Sequence, residues 1–194
     1  MLEDYAFLIW GLISLYEATF ERAYLARAAS LARAMADAFE DAQHGGFFMT
    51  AAPTGPGVRA QEVYDGAIPS GNSAAAFVLV KLHQLSGEET FKHQAEGVFR
   101  RFGNAVGRAP QAHTFFLSAL DAHLNPPVEI TVYADLNRDQ TIIANIRKVV
   151  YKHFIPGKVL KHVPSDGAWH CVVCRDGACL PKAADVGSLE KLLQ

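Results

Sequence analysis

The sequence has 194 residues, of which half are hydrophobic and a fifth are charged, which indicates a folded globular protein and excludes a disordered chain. Its formal net charge of −2 predicts no nucleic-acid partner, because nucleic acids are bound by basic surfaces. No apolar run reaches the roughly 18 residues that span a membrane. The N-terminus also lacks a basic signal-peptide region, so we expect a cytoplasmic protein without a membrane partner.

Five helices are predicted within the first domain, residues 1–125. They cover residues 2–19, 21–41, 70–86, 88–106 and a last helix that starts at Pro110, with a Pro/Gly loop at 51–61. The first, third and fifth helices are apolar on several sides, whereas the second and fourth alternate apolar with charged residues. Short loops make successive helices antiparallel. We therefore predict an array of α/α-hairpins whose first, third and fifth helices form a parallel inner layer.

The pattern changes at Pro126-Pro127, and residues 126–194 are predicted to form a small α/β module. Alternating residues predict strands at 128–133 and 158–162, separated by a helix at 138–154. Asp176-Gly177 predicts a hairpin turn between two further short strands. Asp185 is placed to cap a final helix at 186–193. The predicted fold class is thus mainly α, followed by a small α/β tail.

A polar segment leads directly into the third helix and crowds its start with Ser70, Asn72 and Ser73. The first amide groups of a helix have no partner inside the helix, so such a start can bind anions or hydroxyl groups. The alternative interpretation is ordinary capping, in which Ser70 accepts a hydrogen bond from the first turn. The local sequence is compatible with both.

Parallel inner helices would bring their N-terminal ends together and make a candidate site there. For catalysis we predict Asp65, Asp4 and His113, because a pair of carboxylates serves glycosidic acid–base chemistry and a histidine beside a carboxylate serves proton abstraction. For ligand binding we predict the polar residues that the same ends carry, namely Tyr5, Glu62, Tyr64, Ser70, Asn72 and Ser73, with Gln111 nearby. The alternative for each residue is a structural role, with Asp4 and Ser70 as caps.

No cofactor or metal is expected. The histidines are scattered and lack the close grouping of a zinc site, and no phosphate-binding or dinucleotide-binding motif is present. Cys171 and Cys174 have the Cys-x-x-Cys spacing, but on a strand they face opposite sides. Cys174 and Cys179 would instead face each other across the Asp176-Gly177 turn. A disulfide there is possible, although a cytosolic protein normally keeps such thiols reduced.

Several short motifs together resemble one family. They are Glu3-Asp4-Tyr5-Ala6, Leu15-Tyr16-Glu17-Ala18-Thr19, Gly45-Gly46-Phe47-Phe48, the Asp65-to-Ser73 run with Pro-Ser-Gly-Asn-Ser, and Cys174…Cys179-Leu180-Pro181. The chain resembles the C-terminal part of thioredoxin-domain-containing proteins called spermatogenesis-associated in animals and YyaL-like in bacteria. The resemblance implies a partial α/α toroid similar to six-hairpin glycosidases. It also implies that a thioredoxin-like domain and more than half of the toroid are lacking here.

Two functions follow from these observations. The first is binding of, or action on, a sugar-like ligand at the inner-helix N-terminal ends, with a link to carbohydrate metabolism. The second is a non-catalytic interaction module, whose partner is the thioredoxin-like domain, the missing toroid or a second copy of the chain. Redox chemistry at Cys174 and Cys179 is a third and weaker interpretation. An incomplete toroid would leave apolar side chains without neighbours, and we expect these to be Ile9, Leu12, Tyr16, Phe115, Phe116 and Leu120.

Overall fold

The computed structural model describes residues 1–52 and 59–194 and is mainly α-helical, with a small sheet, as the sequence predicts. The helices are α1 (Leu2–Thr19), α2 (Arg22–Phe39), α3 (Gly71–Ser86), α4 (Glu89–Arg108), α5 (Thr114–Leu124), α6 (Gln140–Lys152) and α7 (Val186–Leu193). The strands are β1 (Glu129–Ala134), β2 (Val159–Pro164), β3 (His170–Arg175) and β4 (Ala178–Cys179). The predicted Pro/Gly loop at 51–61 lies partly outside the described residues. None of the described helices is both long and apolar enough to cross a membrane.

Contacts divide the chain into two compact units, Met1–Asn125 and Pro126–Gln194. In the first unit, α3 is central, since it packs against α1, α4 and α5, while α2 packs against α1. The first ten residues of α3 are almost entirely buried. This burial explains why its sequence is apolar on several sides, whereas α2 and α4 expose one charged face each.

The inner helices α1 and α3 run in the same direction, which confirms the prediction. At their N-terminal ends, Gly71 lies against α1 so closely that a Cβ there would be 2.9 Å from Leu2 Cδ2 and 3.1 Å from Glu3 Cγ. Toward their C-terminal ends, Lys81 Nζ lies 3.4 Å from Glu17 Oε1. A glycine at position 71 therefore permits the close approach that brings the two helix starts together.

Aromatic rings join the middle of α1 and of α3 to the first turn of α5. The ring of Trp10 on α1 lies 5.1 Å from that of Phe77 on α3 and 4.9 Å from that of Phe115 on α5, and the two phenylalanine rings are 5.2 Å apart. Tilted ring pairs at such distances contribute about 0.5–1.5 kcal/mol each beyond the area they bury. The cluster therefore packs the first turn of α5 against α1 and α3.

The expected set of unpartnered apolar side chains is wrong in part. Ile9, Tyr16 and Phe116 are fully buried inside the first unit. The exposed large hydrophobic side chains of α1 are Leu8 and Leu15, which occupy a different stripe of the helix. The error arises because the neighbours of α1 within this chain, α2 and α3, already cover the side on which Ile9 and Tyr16 lie.

The prediction that the fifth helix starts at Pro110 is also wrong. A 3₁₀ turn covers Pro110–Ala112, and the backbone of His113 leaves the helical region with φ −142° before α5 begins at Thr114. Proline suits a first helical turn of either kind, so the sequence signal marks the turn but not the helix that follows. The break at His113 sets the start of α5 beside the segment that precedes α3.

The second unit is a four-stranded sheet in the order β2-β1-β3-β4. β1 pairs with β2 in parallel and with β3 in antiparallel orientation, and α6 makes the crossover between β1 and β2. Alternate residues of β1 are buried, as the sequence pattern predicts. Asp185 caps α7, since its carboxylate accepts a hydrogen bond from Ser188 N at 2.8 Å.

Cys174 and Cys179 face each other across the β3–β4 hairpin, which confirms the predicted register. Their sulfur atoms form a disulfide. The turn residues Asp176 and Gly177 both have positive φ, as a two-residue hairpin of this kind requires. Cys171 is buried away from this pair, and burial raises the pKa of its thiol to about 12, so the group stays protonated and unreactive at neutral pH.

Candidate functional site

The segment before α3 connects the N-terminal ends of the inner helices. Asp65 N donates to Ala112 O at 2.9 Å, and His113 Nδ1 lies 2.9 Å from Val63 O. These contacts fasten the segment to the 3₁₀ turn ahead of α5. On its other side, Gly71 lies against Leu2 and Glu3 in the first turn of α1. The predicted convergence of three helix starts is therefore present in the structure.

Asp65 holds two of these helix starts with its carboxylate. Its Oδ1 accepts from Ser70 N at 2.9 Å, and its Oδ2 accepts from Phe115 N at 2.8 Å and from Phe116 N at 3.1 Å. The amides of Phe115 and Phe116 are in the first turn of α5, where the N-cap side chain normally accepts a hydrogen bond. The N-cap residue of α5 is His113, and its side chain makes no such hydrogen bond. Asp65 thus caps α5 across a long stretch of sequence and positions the segment between α5 and α3.

Ser70, Asn72 and Ser73 make local and long-range hydrogen bonds of their own. Ser70 Oγ accepts from Ser73 N at 3.1 Å and donates to Ser73 Oγ at 2.9 Å, so the capping interpretation holds for Ser70. Asn72 is fully buried. Its Oδ1 accepts from Phe47 N at 2.8 Å, and its Nδ2 donates to Phe47 O at 2.9 Å and Glu62 O at 2.8 Å. We call these three contacts the Asn72 bridge.

The other predicted residues lie around this end of the unit in different settings. The carboxylate of Asp4 is 78% exposed and binds the N-terminal amine of Met1 at 2.6 Å. The ring of Tyr5 contacts the ring of Phe39 edge-on. His113 is buried, and its Nδ1 must carry the proton because its partner, Val63 O, is a carbonyl that only accepts. Gln111 is exposed in the 3₁₀ turn.

An open cavity of about 230 Å³ lies between the start of α1 and the segment that precedes α3. We call it the Tyr64 cavity; its described lining residues are Glu3, Glu62, Tyr64, Gly66, Ala67, Ile68, Pro69 and Ser70. Of the predicted ligand-binding residues, Glu62, Tyr64 and Ser70 line it, and Tyr5, Asn72 and Ser73 are not among its described lining residues. None of the predicted catalytic residues, Asp4, Asp65 and His113, is among them either. Glu3 is a lining residue that the sequence analysis passed over, although it stands in the first turn beside Asp4.

Tyr64 gives this cavity an exposed aromatic wall. Its side chain is 58% exposed, and the ring lies over Gly66, where a Cβ would be 3.4 Å from Tyr64 Cε1. Ile68 is also exposed on the same segment. The described lining therefore combines two acidic residues, Glu3 and Glu62, with one tyrosine. Within residues 1–52 and 59–194, no three histidine, cysteine or acidic side chains are grouped to hold a metal ion.

Comparison with known proteins gives relatives of one kind, while no protein-family model matches. Human spermatogenesis-associated protein 20 is 34% identical over 161 residues, which are 82% of this chain and 20% of that protein. The rat and mouse proteins of the same name are 33% and 31% identical over the same length. The chain thus spans about a fifth of the length of these curated relatives. At this identity over most of its residues, the chain belongs to the spermatogenesis-associated protein 20 family.

Proposed function

We propose that the chain binds a sugar-like, polyhydroxylated small molecule in the Tyr64 cavity. The observation that carries the proposal is that two acidic residues, Glu3 and Glu62, and the exposed Tyr64 line one open cavity at the inner-helix N-terminal ends. Carboxylates accept hydrogen bonds from neighbouring hydroxyl groups. An exposed aromatic ring packs against the apolar C–H face of a sugar.

The size of the cavity limits the ligand. Its volume of about 230 Å³ lies below the roughly 300–1,000 Å³ of sites for drug-sized molecules, so a single sugar ring is the proposed occupant. The wall is rigid on one side because Asp65 and the Asn72 bridge fix both ends of the lining segment. Positioned groups on a fixed segment lower the entropic cost of ligand binding.

The proposal assigns binding and leaves the reaction open. Within the part of the chain that the structure describes, the carboxylate of Asp65 accepts its hydrogen bonds from backbone amides, and Asp4 and His113 are not among the residues that line the cavity. In this proposal Asp65 and His113 position the segment 62–70, while Glu3, Glu62 and Tyr64 touch the ligand. Action on a carbohydrate, as in six-hairpin glycosidases, would place acid–base chemistry on Glu3 and Glu62.

We expect monosaccharides or N-acetylated sugars to shift the amide NMR signals of Glu3 and residues 62–70 in the full chain. Tyr64→Ala should weaken binding about tenfold, because it removes the stacked ring. Tyr151→Ala is the matched control, since Tyr151 is also an exposed tyrosine but lies in the second unit. The proposal is wrong if a broad sugar panel leaves these signals unmoved, or if both variants bind equally well.

A second candidate function is a non-catalytic interaction module, and the surface of α1 favours it. Leu8 is 55% exposed and Leu15 is 44% exposed, and nothing lies within 4 Å of the position of a Cβ on Gly11 between them. Together these residues form an apolar stripe along α1. We propose that the stripe receives a helix of a partner, such as the remaining part of a longer protein like the relatives. In the absence of that helix, the stripe pairs with a second copy of the chain.

Sedimentation of the purified chain at micromolar concentration tests this second candidate. The wild-type chain should self-associate, and the double variant Leu8→Glu, Leu15→Glu should be monomeric, since burying each leucine side chain is worth about 1.5–3 kcal/mol. Leu124→Glu is the control, because Leu124 is an exposed leucine on α5. A wild-type chain that sediments as a compact monomer would contradict the proposal.

A further inference from the structure

A larger cavity of about 380 Å³ lies beside the loop that follows α2. We call it the arginine cavity; its described lining residues are Asp41, Gln43, His44, Phe48, Arg59, Gln61 and Arg101. It shares no described lining residue with the Tyr64 cavity. Arg59 and Gln61 come from the chain that leads towards α3, and Arg101 comes from α4. Two arginines that are distant in sequence therefore line the same cavity.

Arg59 is held in a fixed orientation. Its Nε donates to Thr50 O at 2.9 Å, and its Nη2 donates to Thr50 O at 2.7 Å and to Ala38 O at 2.8 Å. Its guanidinium lies over the ring of Phe48, with Cζ 4.1 Å from the ring centroid. All these partners are uncharged. The positive charge of Arg59 is therefore positioned but has no carboxylate partner among the described residues.

Arg101 is oriented by a neutral partner as well. Its Nε donates to Gln61 Oε1 at 2.7 Å, and Gln61 Nε2 in turn donates to Gly45 O at 3.2 Å and to Asp41 Oδ2 at 3.4 Å. This chain of contacts fixes one edge of the Arg101 guanidinium against the cavity wall. Its terminal nitrogens make no ion pair with the described acidic side chains, and the side chain is exposed.

Asp41 is the one acidic residue among the described lining residues, and its carboxylate is bound by other residues of the same loop. The carboxylate accepts hydrogen bonds from Gln43 N at 3.1 Å and from His44 N at 3.0 Å, and the His44 ring lies 3.2 Å from Oδ2. Burial acts to raise the pKa of Asp41, but these hydrogen bonds outweigh it and lower the pKa below its ordinary value. Its negative charge is thus stabilised by the loop, while the charges of Arg59 and Arg101 are left for a ligand.

We propose that the arginine cavity binds the oxyanion group of a small organic acid or phosphate ester. A guanidinium presents paired N–H donors whose geometry matches carboxylate and phosphate oxygens. The volume of about 380 Å³ falls within the roughly 300–1,000 Å³ range of small-molecule sites, so the cavity has room for the organic part beside the oxyanion. Phe48, whose ring is covered on one face by the Arg59 guanidinium, is the aromatic residue among the described lining residues.

This site is independent of the proposed sugar site, because the two cavities are lined by different residues. Tyr64→Ala should leave oxyanion binding unchanged, and Arg101→Gln should leave sugar binding unchanged. The two proposals therefore fail separately. Arg101 suits mutation because its side chain is exposed, whereas Arg59 also satisfies two backbone carbonyls and its loss would disturb the loop.

The test is a titration of the full chain with inorganic phosphate at low ionic strength, followed by the side-chain Nε–H NMR signals of arginine. We expect saturable shifts for Arg59 and Arg101, and about tenfold weaker binding or more in Arg101→Gln, because charge-assisted hydrogen bonds are lost. Arg101→Lys, which retains the charge but not the paired donors, should also bind more weakly. Arg27→Gln is the control, since Arg27 is exposed on α2 outside the cavity.

Parallel titrations with acetate and with methyl phosphate, neither of which contains a sugar ring, distinguish the two sources of the oxyanion. Tighter binding of acetate assigns a carboxylate ligand, and tighter binding of methyl phosphate assigns a phosphate ester; each supports the site when Arg101→Gln weakens that binding about tenfold or more. Shifts that do not saturate, or that weaken equally in Arg27→Gln and Arg101→Gln, would show general charge attraction and overturn the proposal. So would unmoved Arg59 and Arg101 signals.

Discussion

Replacing Asn72 by alanine should lower the free energy of unfolding of the first unit by about 3–5 kcal/mol, because several buried polar groups lose their partner at once. The Asn72 bridge satisfies Phe47 N, Phe47 O and Glu62 O, and Asn72 is fully buried. Asn72→Asp should be at least as destabilising. A carboxylate has no N–H to donate and would face two carbonyl oxygens in a buried place.

Urea unfolding measures this effect. Trp10 and Trp169 lie in different units, so Trp10 fluorescence in a Trp169→Phe background reports on the helical unit alone. Asn125→Ala is the control, because Asn125 is exposed and its side-chain amide donates to the side chain of the exposed Asp121 at 2.7 Å. We expect the control to change stability by less than about 0.5 kcal/mol. A similarly small change for Asn72→Ala would show that the bridge contributes little.

Gly45→Ala should destabilise the same unit by about 3 kcal/mol, through a strained backbone and a steric clash. Gly45 has φ +80°, a conformation that side chains other than glycine rarely adopt. A Cβ at this position would also lie 2.6 Å from Gly97 O on α4, and a helix backbone cannot easily move aside. The loop that carries Asp41 and His44 would therefore be displaced from α4.

Gly87→Ala separates these two causes. Gly87 has a similar φ of +75°, but nothing lies within 4 Å of its Cβ position, so only the backbone term of about 1–2 kcal/mol applies. Urea unfolding should therefore rank Gly45→Ala clearly below Gly87→Ala in stability. Equal losses for the two variants would mean that α4 relaxes around the new methyl group. Phosphate binding should also weaken in Gly45→Ala, because Gly45 O helps to orient Gln61.

Much of the fold follows from local signals in the sequence. Apolar periodicity predicts α1 to α4 to within a few residues, and Ser70 and Asp185 cap α3 and α7 as their chemistry suggests. The Asp176-Gly177 turn predicts the pairing of Cys174 with Cys179. These predictions succeed because caps, turns and amphipathic faces depend on residues only a few positions apart.

The candidate site was predicted less completely. The sequence analysis brings Glu62, Tyr64 and Ser70 to the inner-helix ends, and the structure places all three around one cavity. It does not reveal that Glu3 belongs with them, since neighbouring Asp4 has the same local features. The arginine cavity was missed altogether, because Arg59 and Arg101 belong to no motif and become neighbours only through the packing of the loop against α4.

The sequence by itself determined the elements, their order and the parallel arrangement of the inner helices. Only the tertiary structure decided what the polar residues between them do. Asp65 carries the carboxylate expected of a site residue, yet this carboxylate caps α5 by accepting hydrogen bonds from Phe115 N and Phe116 N. Asn72 likewise joins α3 to Phe47. The physical reason is that a buried hydrogen-bonding group takes whichever partner the packed helices bring near, and those partners lie tens of residues away in the chain.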